Sequence, residues 1–238
     1  MWSQAARDDT PRRPDDVSST PNPLWFLDRS SGEVTLLLMT VVVILGIVRA
    51  ALPTANPILF EGAHINIALL TIAFAGLHIL AALLDPFARL GPVDTLVPFV
   101  SAYRGTWLGL GVISGYVYAV AVLSSWPTRR LSRTPWLWLH RTTYAAWVLA
   151  VVHSLGTGSD ARNNFFLLLN VAAVAVVLAA FLGIRVAEGW RRLPPLWAAA
   201  ALVAVLTVLA IAVWAANGPL QAGWARSSGT PPELLRPP

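Results

Sequence analysis

The chain has no cysteine among its 238 residues. That excludes disulfides, thiolate zinc sites, iron–sulfur clusters, cysteine nucleophiles and haem attached through Cys-x-x-Cys-His. Any metal or haem must therefore rest on histidine, methionine or carboxylates. Charge is scarce too: 12% of residues are charged, where a soluble domain carries about 25%. Lysine is missing, so all 17 basic residues are arginine; this is compositional bias rather than mechanism. No glycine-rich phosphate loop is present. Gly109 and Gly111 stand inside an apolar run and lack the third glycine of a dinucleotide fingerprint. The twin arginine Arg12-Arg13 is followed by no signal-type apolar core at the right distance.

What remains is largely apolar. Hydrophobic residues make up 56% and the mean hydropathy is +0.62, which points to a polytopic membrane protein. Six runs of about 20 residues, each enough to cross a bilayer as a helix, cover roughly 34–52, 64–84, 106–125, 135–155, 165–186 and 196–216. The runs are continuously apolar rather than alternating, which argues against strands. The expected fold is all-α, a polytopic membrane helix bundle of six transmembrane helices. Residues 1–24 read as a disordered polar tail, 25–216 as the membrane domain and 217–238 as a polar C-terminal tail. The rather apolar connection from Asp85 to Arg104 is expected to hold a short surface helix.

The net charge of +5 reads as arginine retained in cytoplasmic loops rather than as a nucleic-acid footprint. Seven arginines fall on one side of the spans: Arg49, Arg129, Arg130, Arg133, Arg185, Arg191 and Arg192. That side is expected to be cytoplasmic, which puts both termini on the non-cytoplasmic side of the cell membrane.

The four histidines carry the chemistry. His64 and His78 stand at positions i and i+14 of the second span, and His140 and His153 at i and i+13 of the fourth. At about 1.5 Å per residue each pair spans roughly 20 Å, too far for one metal. One helix separates the two spans, so they run in the same direction. His64 then shares a depth with His140, and His78 with His153; under the expected orientation the first pair lies on the cytoplasmic side and the second near the outer face. Two imidazoles at each of two depths are what two stacked, non-covalent b-type haems require as axial ligands. Ionisable groups within spans are costly and generally functional. One point resists: at about 100° per residue, an i to i+13 step misses a common face by about 140°, so the fourth helix cannot be ideal. It must tilt, bulge or approach the two haems from different sides.

Other residues add less. Arg141 adjoins His140 and could pair with a haem propionate, or snorkel as an ordinary positive-inside arginine. Tyr144 and Thr143 are candidates to point inward. Trp107, Trp126, Trp136, Trp138 and Trp197 lie near span ends and read mostly as interfacial anchors. Glu61 precedes His64 and reads as a solvated loop residue, with proton coupling to the inner haem as the lesser alternative. The glycines of the third span, Gly105, Gly109, Gly111 and Gly115, allow close helix approach.

These residues resemble the ferric-reductase-like transmembrane domain. That family includes NADPH oxidases, eukaryotic ferric reductases and the haem-binding membrane subunit of the bacterial methionine sulfoxide reductase system. The carriers are AHINIALLTIAFAGLHIL, LHRTTYAAWVLAVVHSLG and the intervening YRGTWLGLGVISGY, within a match over roughly 25–156. The resemblance implies a two-haem transmembrane wire with His64, His78, His140 and His153 as iron ligands. It also implies electron flow from a cytoplasmic reductant to an acceptor on the outer face. Only a short polar stretch follows Ala216, too little for the flavin and nicotinamide domain of the larger members. The donor is therefore expected to be separate, a partner reductase or membrane quinol, with quinone as a further candidate cofactor.

The function expected is that of a membrane oxidoreductase component embedded in lipid, passing electrons to an outer-face acceptor or partner protein, with no nucleic-acid role. Two other readings fit less of the sequence. A transporter or proton channel could use intramembrane histidines, but the six runs contain no Asp or Glu and no broken-helix repeat. A non-catalytic anchor could hold haem while a partner does the chemistry.

Overall fold

The computed structural model describes residues 23–51, 56–125, 132–158, 162–187 and 195–235, with residues 57, 184–187 and 195–197 described by backbone alone. Residues 1–22, Trp126, Arg129, Arg130, Arg191 and Arg192 lie outside the described residues.

The long apolar runs form helices. A backbone surrounded by lipid must satisfy its own N–H and C=O groups, and a helix does so within one segment. The chain runs α1 (Pro23–Ala51), α2 (Pro57–Leu84), α3 (Pro92–Leu96), α4 (Gly105–Ser124), α5 (Arg133–Arg141), α6 (Thr143–Thr157), α7 (Asn164–Ala187), α8 (Pro195–Asn217) and α9 (Trp224–Ser227). Among the described residues there is no strand. Helix starts follow local chemistry. Asn56 caps α2 by accepting from the Leu59 N–H at 3.3 Å, and Pro57 takes the first helical position. Asp94 accepts from the Gly91 N–H at 2.7 Å and closes the start of α3, the short helix expected between Asp85 and Arg104.

Among the described residues five helices are long and apolar enough to cross a membrane: α1, α2, α4, α7 and α8. The expected fourth span is divided into α5, of 9 residues, and α6, of 15. The break falls at Thr142, whose N–H turns back to the Leu139 carbonyl at 3.0 Å, a tight i to i−3 bond. His140 lies on α5 and His153 on α6. A straight helix cannot carry both toward one partner helix, and the break supplies the expected departure from ideality.

The core is built from Leu36, Met39, Val43 and Ile47 of α1 against Tyr118, Ala146, Trp147 and Val151, with Ala173 and Val177 of α7 closing one side. A few polar groups tie the helices together. The Trp147 indole donates to the Thr40 hydroxyl at 2.9 Å, and the Ser114 hydroxyl donates to the Ala146 carbonyl at 2.8 Å. The outward faces are apolar: Ile58, Leu123, Phe165, Leu168, Leu202 and Val213 are exposed. Such surface is disfavoured in water and suits lipid. This is a multi-pass membrane protein.

Two boundaries differ from expectation. Helix α1 begins at Pro23, so it takes in Asp28, Arg29 and Glu33, and the 24/25 boundary falls inside it. The residues after Ala216 do not hang free. Pro219 is among the most deeply buried side chains, and the chain then forms α9 and a 3-10 turn at Pro232–Leu234.

Candidate functional site

The four histidines meet in the two pairs expected from depth. The rings of His64 and His140 lie 5.9 Å apart between centroids, and those of His78 and His153 lie 6.2 Å apart. A metal–imidazole bond is about 2 Å, and the ring centre lies about 1 Å further in. Two imidazoles on opposite sides of one metal therefore sit about 6 Å apart. Both observed separations match that arrangement. Among the described residues no group of three His, Cys, Asp or Glu gathers to hold a metal. A pair of imidazoles without a third such side chain would suit an iron whose remaining ligands come from a macrocycle.

The orientation of the His78 and His153 rings is set by hydrogen bonds. His78 Nδ1 lies 2.8 Å from the Asp28 carbonyl and 2.9 Å from the Asp28 carboxylate. His153 Nδ1 lies 2.9 Å from the Trp107 carbonyl. A carbonyl only accepts, so these contacts call for a proton on Nδ1, and in the neutral ring that leaves the lone pair on Nε2. Histidines that ligate metals are commonly held this way. At the other level, the Trp136 ring stacks on His140 at 5.0 Å and its indole donates to Ser125 Oγ at 3.2 Å.

Glycine makes room for the rings. A Cβ at Gly32 would stand 3.0 Å from His78, and one at Gly46 would stand 3.6 Å from His64. Gly32 and Gly46 are related as i and i+14 on α1, the same interval that separates His64 and His78 on the antiparallel α2. A Cβ at Gly111 would collide with His153 Nδ1 at 2.5 Å. The third-span glycines thus serve specific contacts: Gly111 admits His153, while Gly109 admits Phe99 from the α3–α4 connection.

A cavity of about 500 Å³ opens beside His78 and His153, lined also by Gly76, Gly115, Thr71 and Tyr118 among others. A Cβ at Gly76 or Gly115 would meet nothing within 4 Å, so both present bare backbone to open space. Cofactor pockets commonly occupy about 300–1,000 Å³. The connection after α2 covers this cavity with Phe87, Leu90 and Leu96, and Tyr116 hydrogen bonds to the Leu96 carbonyl.

Several residues depart from their expected roles. Glu33 lies on α1 and points inward, accepting from the Ser154 hydroxyl at 3.1 Å. The absence of carboxylates from the apolar runs therefore does not hold for the helices. Its signal was hidden because the hydropathy run begins only at Val34. Trp107, at the start of α4, packs on Trp214 at 4.9 Å and Trp224 at 5.3 Å. Trp138 is 65% exposed, with the Arg141 guanidinium 5.5 Å above its ring. Glu61 is exposed and pairs with Arg49 at 3.6 Å. Tyr144 is exposed, while the Thr143 hydroxyl donates to the His140 carbonyl at 2.7 Å. Arg104, missed by the sequence reading, is 2% exposed. Burial, with a smaller contribution from nearby Arg29, pulls its guanidinium below the ordinary value.

No family model matches the chain, and no solved structure matches it significantly. The chain is 30% identical over 176 residues to the protein-methionine-sulfoxide reductase heme-binding subunit MsrQ of Bordetella pertussis, covering 72% of this chain and 78% of that protein. The subunits of the same name from Bordetella parapertussis and Bordetella bronchiseptica match with the same identity and coverage.

Proposed function

The chain belongs to the family of the haem-binding subunit MsrQ of protein-methionine-sulfoxide reductase, and from that premise we propose that it conducts electrons across the membrane through two bis-histidine b-type haems. His64 and His140 hold the inner haem, and His78 and His153 the outer one. The observation that carries this reading is the pairing of all four histidines at separations suited to one metal between each pair. When bound, haem supplies one-electron chemistry between ferric and ferrous iron.

The chain's own residues do the rest. The Asp28 and Trp107 carbonyls hold the His78 and His153 imidazoles through Nδ1, leaving Nε2 as the nitrogen that would bind iron. Gly32 and Gly111 let the His78 and His153 rings lie against neighbouring helices. Arg141, exposed beside His140 with its guanidinium over Trp138, would supply a cation for a propionate at the inner level. Helices α5 and α6 together make the fourth of six crossings, and both chain ends lie on the non-cytoplasmic side. Electrons then run from a cytoplasmic reductase or membrane quinol to the outer face, as in ferric-reductase-like domains. The relatives' name describes a subunit of a methionine sulfoxide reductase, which supports a separate catalytic protein as acceptor.

Paired ligand removal tests this. His64→Ala and His140→Ala should each lose the same haem, and His78→Ala and His153→Ala the other, as read by haem content and redox titration of purified protein. Loss of the same haem from His64→Ala and His153→Ala would sink the assignment.

A further inference from the structure

The residues after α8 return to the outer histidine pair. Past Asn217 the chain turns through Gly218 and the buried Pro219, then lays α9 across the ends of α4 and α6. The Trp224 indole donates to the Gly156 carbonyl at 3.0 Å, one helical turn beyond His153. Its ring packs on Trp107 and on Trp214, 6.1 Å away. Trp107 in turn presses on Gly156 so closely that a Cβ there would stand 2.7 Å from the indole. The Trp107 carbonyl is the group that holds His153 Nδ1.

A second set of contacts lies alongside. Arg104 donates from its backbone N–H to the Gly229 carbonyl at 2.9 Å and from Nε to the Thr230 hydroxyl at 2.8 Å. Its Nη1 donates to the Thr157 carbonyl at 2.6 Å. Arg104 adopts φ 46°, a left-handed conformation that costs a residue with a Cβ roughly 1 kcal/mol or more. The bonds from 229–230 and from Thr157 sustain it. Residues 218–235 thus touch both supports of His153: the first turn of α4, whose carbonyl orients the imidazole, and the end of α6, which carries it.

We propose that residues 218–235 form a clasp that sets the orientation of the His153 imidazole, with Trp224 and Arg104 as positioning residues for the outer haem pair. The proposal rests on the reading of His78 and His153 as ligands. The clasp contacts the His153 end of α6, whereas His140 lies on α5 across the break at Thr142. The inner pair therefore acts as an internal control: misfolding disturbs both haems, but a loosened clasp disturbs one.

The test uses purified full-length holoprotein carrying Trp224→Phe, Trp224→Ala, Arg104→Lys or Arg104→Gln. The outer haem is identified beforehand from the signal lost in His153→Ala. Low-temperature EPR and redox titration read ligand orientation, and transfer of haem to apomyoglobin reads retention. Trp224→Phe keeps a ring and removes one donor. It should release the outer haem roughly fivefold faster, the worth of one net hydrogen bond, with the inner signal unmoved. Trp224→Ala and Arg104→Gln should shift the outer EPR signal and potential further, and Arg104→Lys should recover part of the wild-type signal. If Trp224→Ala and Arg104→Gln leave the outer signal untouched, or move both haems equally, the proposal is overturned alone. A wild-type protein with no outer-pair signal overturns the ligand reading together with it.

Discussion

Replacing Gly111 by alanine isolates the fit between α4 and His153. The new Cβ would stand 2.5 Å from Nδ1 and 2.6 Å from Cε1 of the imidazole. Ordinary contact requires the ring to retreat by about 1 Å, a move that also breaks its 2.9 Å bond to the Trp107 carbonyl. Overpacking costs about 1–3 kcal/mol and the lost hydrogen bond about 1 kcal/mol. Together these weaken retention of the outer haem by about 2–4 kcal/mol, or roughly 30- to 700-fold. The same substitution elsewhere grades the effect. At Gly32 the Cβ would lie 3.0 Å from His78, so the ring gives by a few tenths of an ångström and the cost is about 1 kcal/mol. At Gly46 the distance to His64 is an ordinary 3.6 Å, and both haems should stay. Haem content by pyridine haemochrome, with redox titration of what remains, reads the series. If Gly46→Ala is as damaging as Gly111→Ala, or if Gly111→Ala keeps two haems at unchanged potentials, the steric account fails.

Other outcomes follow from the same geometry. Ser114→Ala removes the buried bond to the Ala146 carbonyl between α4 and α6. It should cost about 0.6 kcal/mol, typical of interhelical hydrogen bonds in membranes, and be visible as slightly earlier thermal loss of haem without a change in spectrum. Arg141→Gln should lower the potential of the inner haem alone, since a cation near a propionate favours the reduced state; an unchanged inner potential removes Arg141 from the site. A reporter fused after Pro238 should be active only outside the cytoplasm, and cytoplasmic activity would reverse the topology.

The histidine pairs were legible from sequence because helical rise converts sequence spacing directly into depth. The four ligand candidates are the chain's only histidines, so no competing choice blurred the pattern. The failure of His140 and His153 to share one face of an ideal helix also foretold an irregular fourth helix, although not that the irregularity is a break at Thr142. The interval between Gly32 and Gly46, equal to that between His64 and His78, was readable in principle. It gains meaning only once α1 is known to lie antiparallel against α2. Glu33 was missed because hydropathy marks where lipid-compatible sequence begins, near Val34, whereas the helix starts well before it, at Pro23. The C-terminal clasp was read as a tail for a similar reason. Its polar composition is real, but three tryptophans and a buried arginine secure it through contacts distant in sequence, such as Arg104 with Thr230, which no local pattern reveals.

The central claim, two haems each held by a histidine pair, meets its most direct test in the wild-type protein purified from membranes. Dithionite reduction should give a b-type spectrum at two haems per chain, and EPR of the oxidised protein should show two low-spin bis-imidazole signals. A protein that binds no haem, or a single haem lost on replacing any one of the four histidines, would contradict the account.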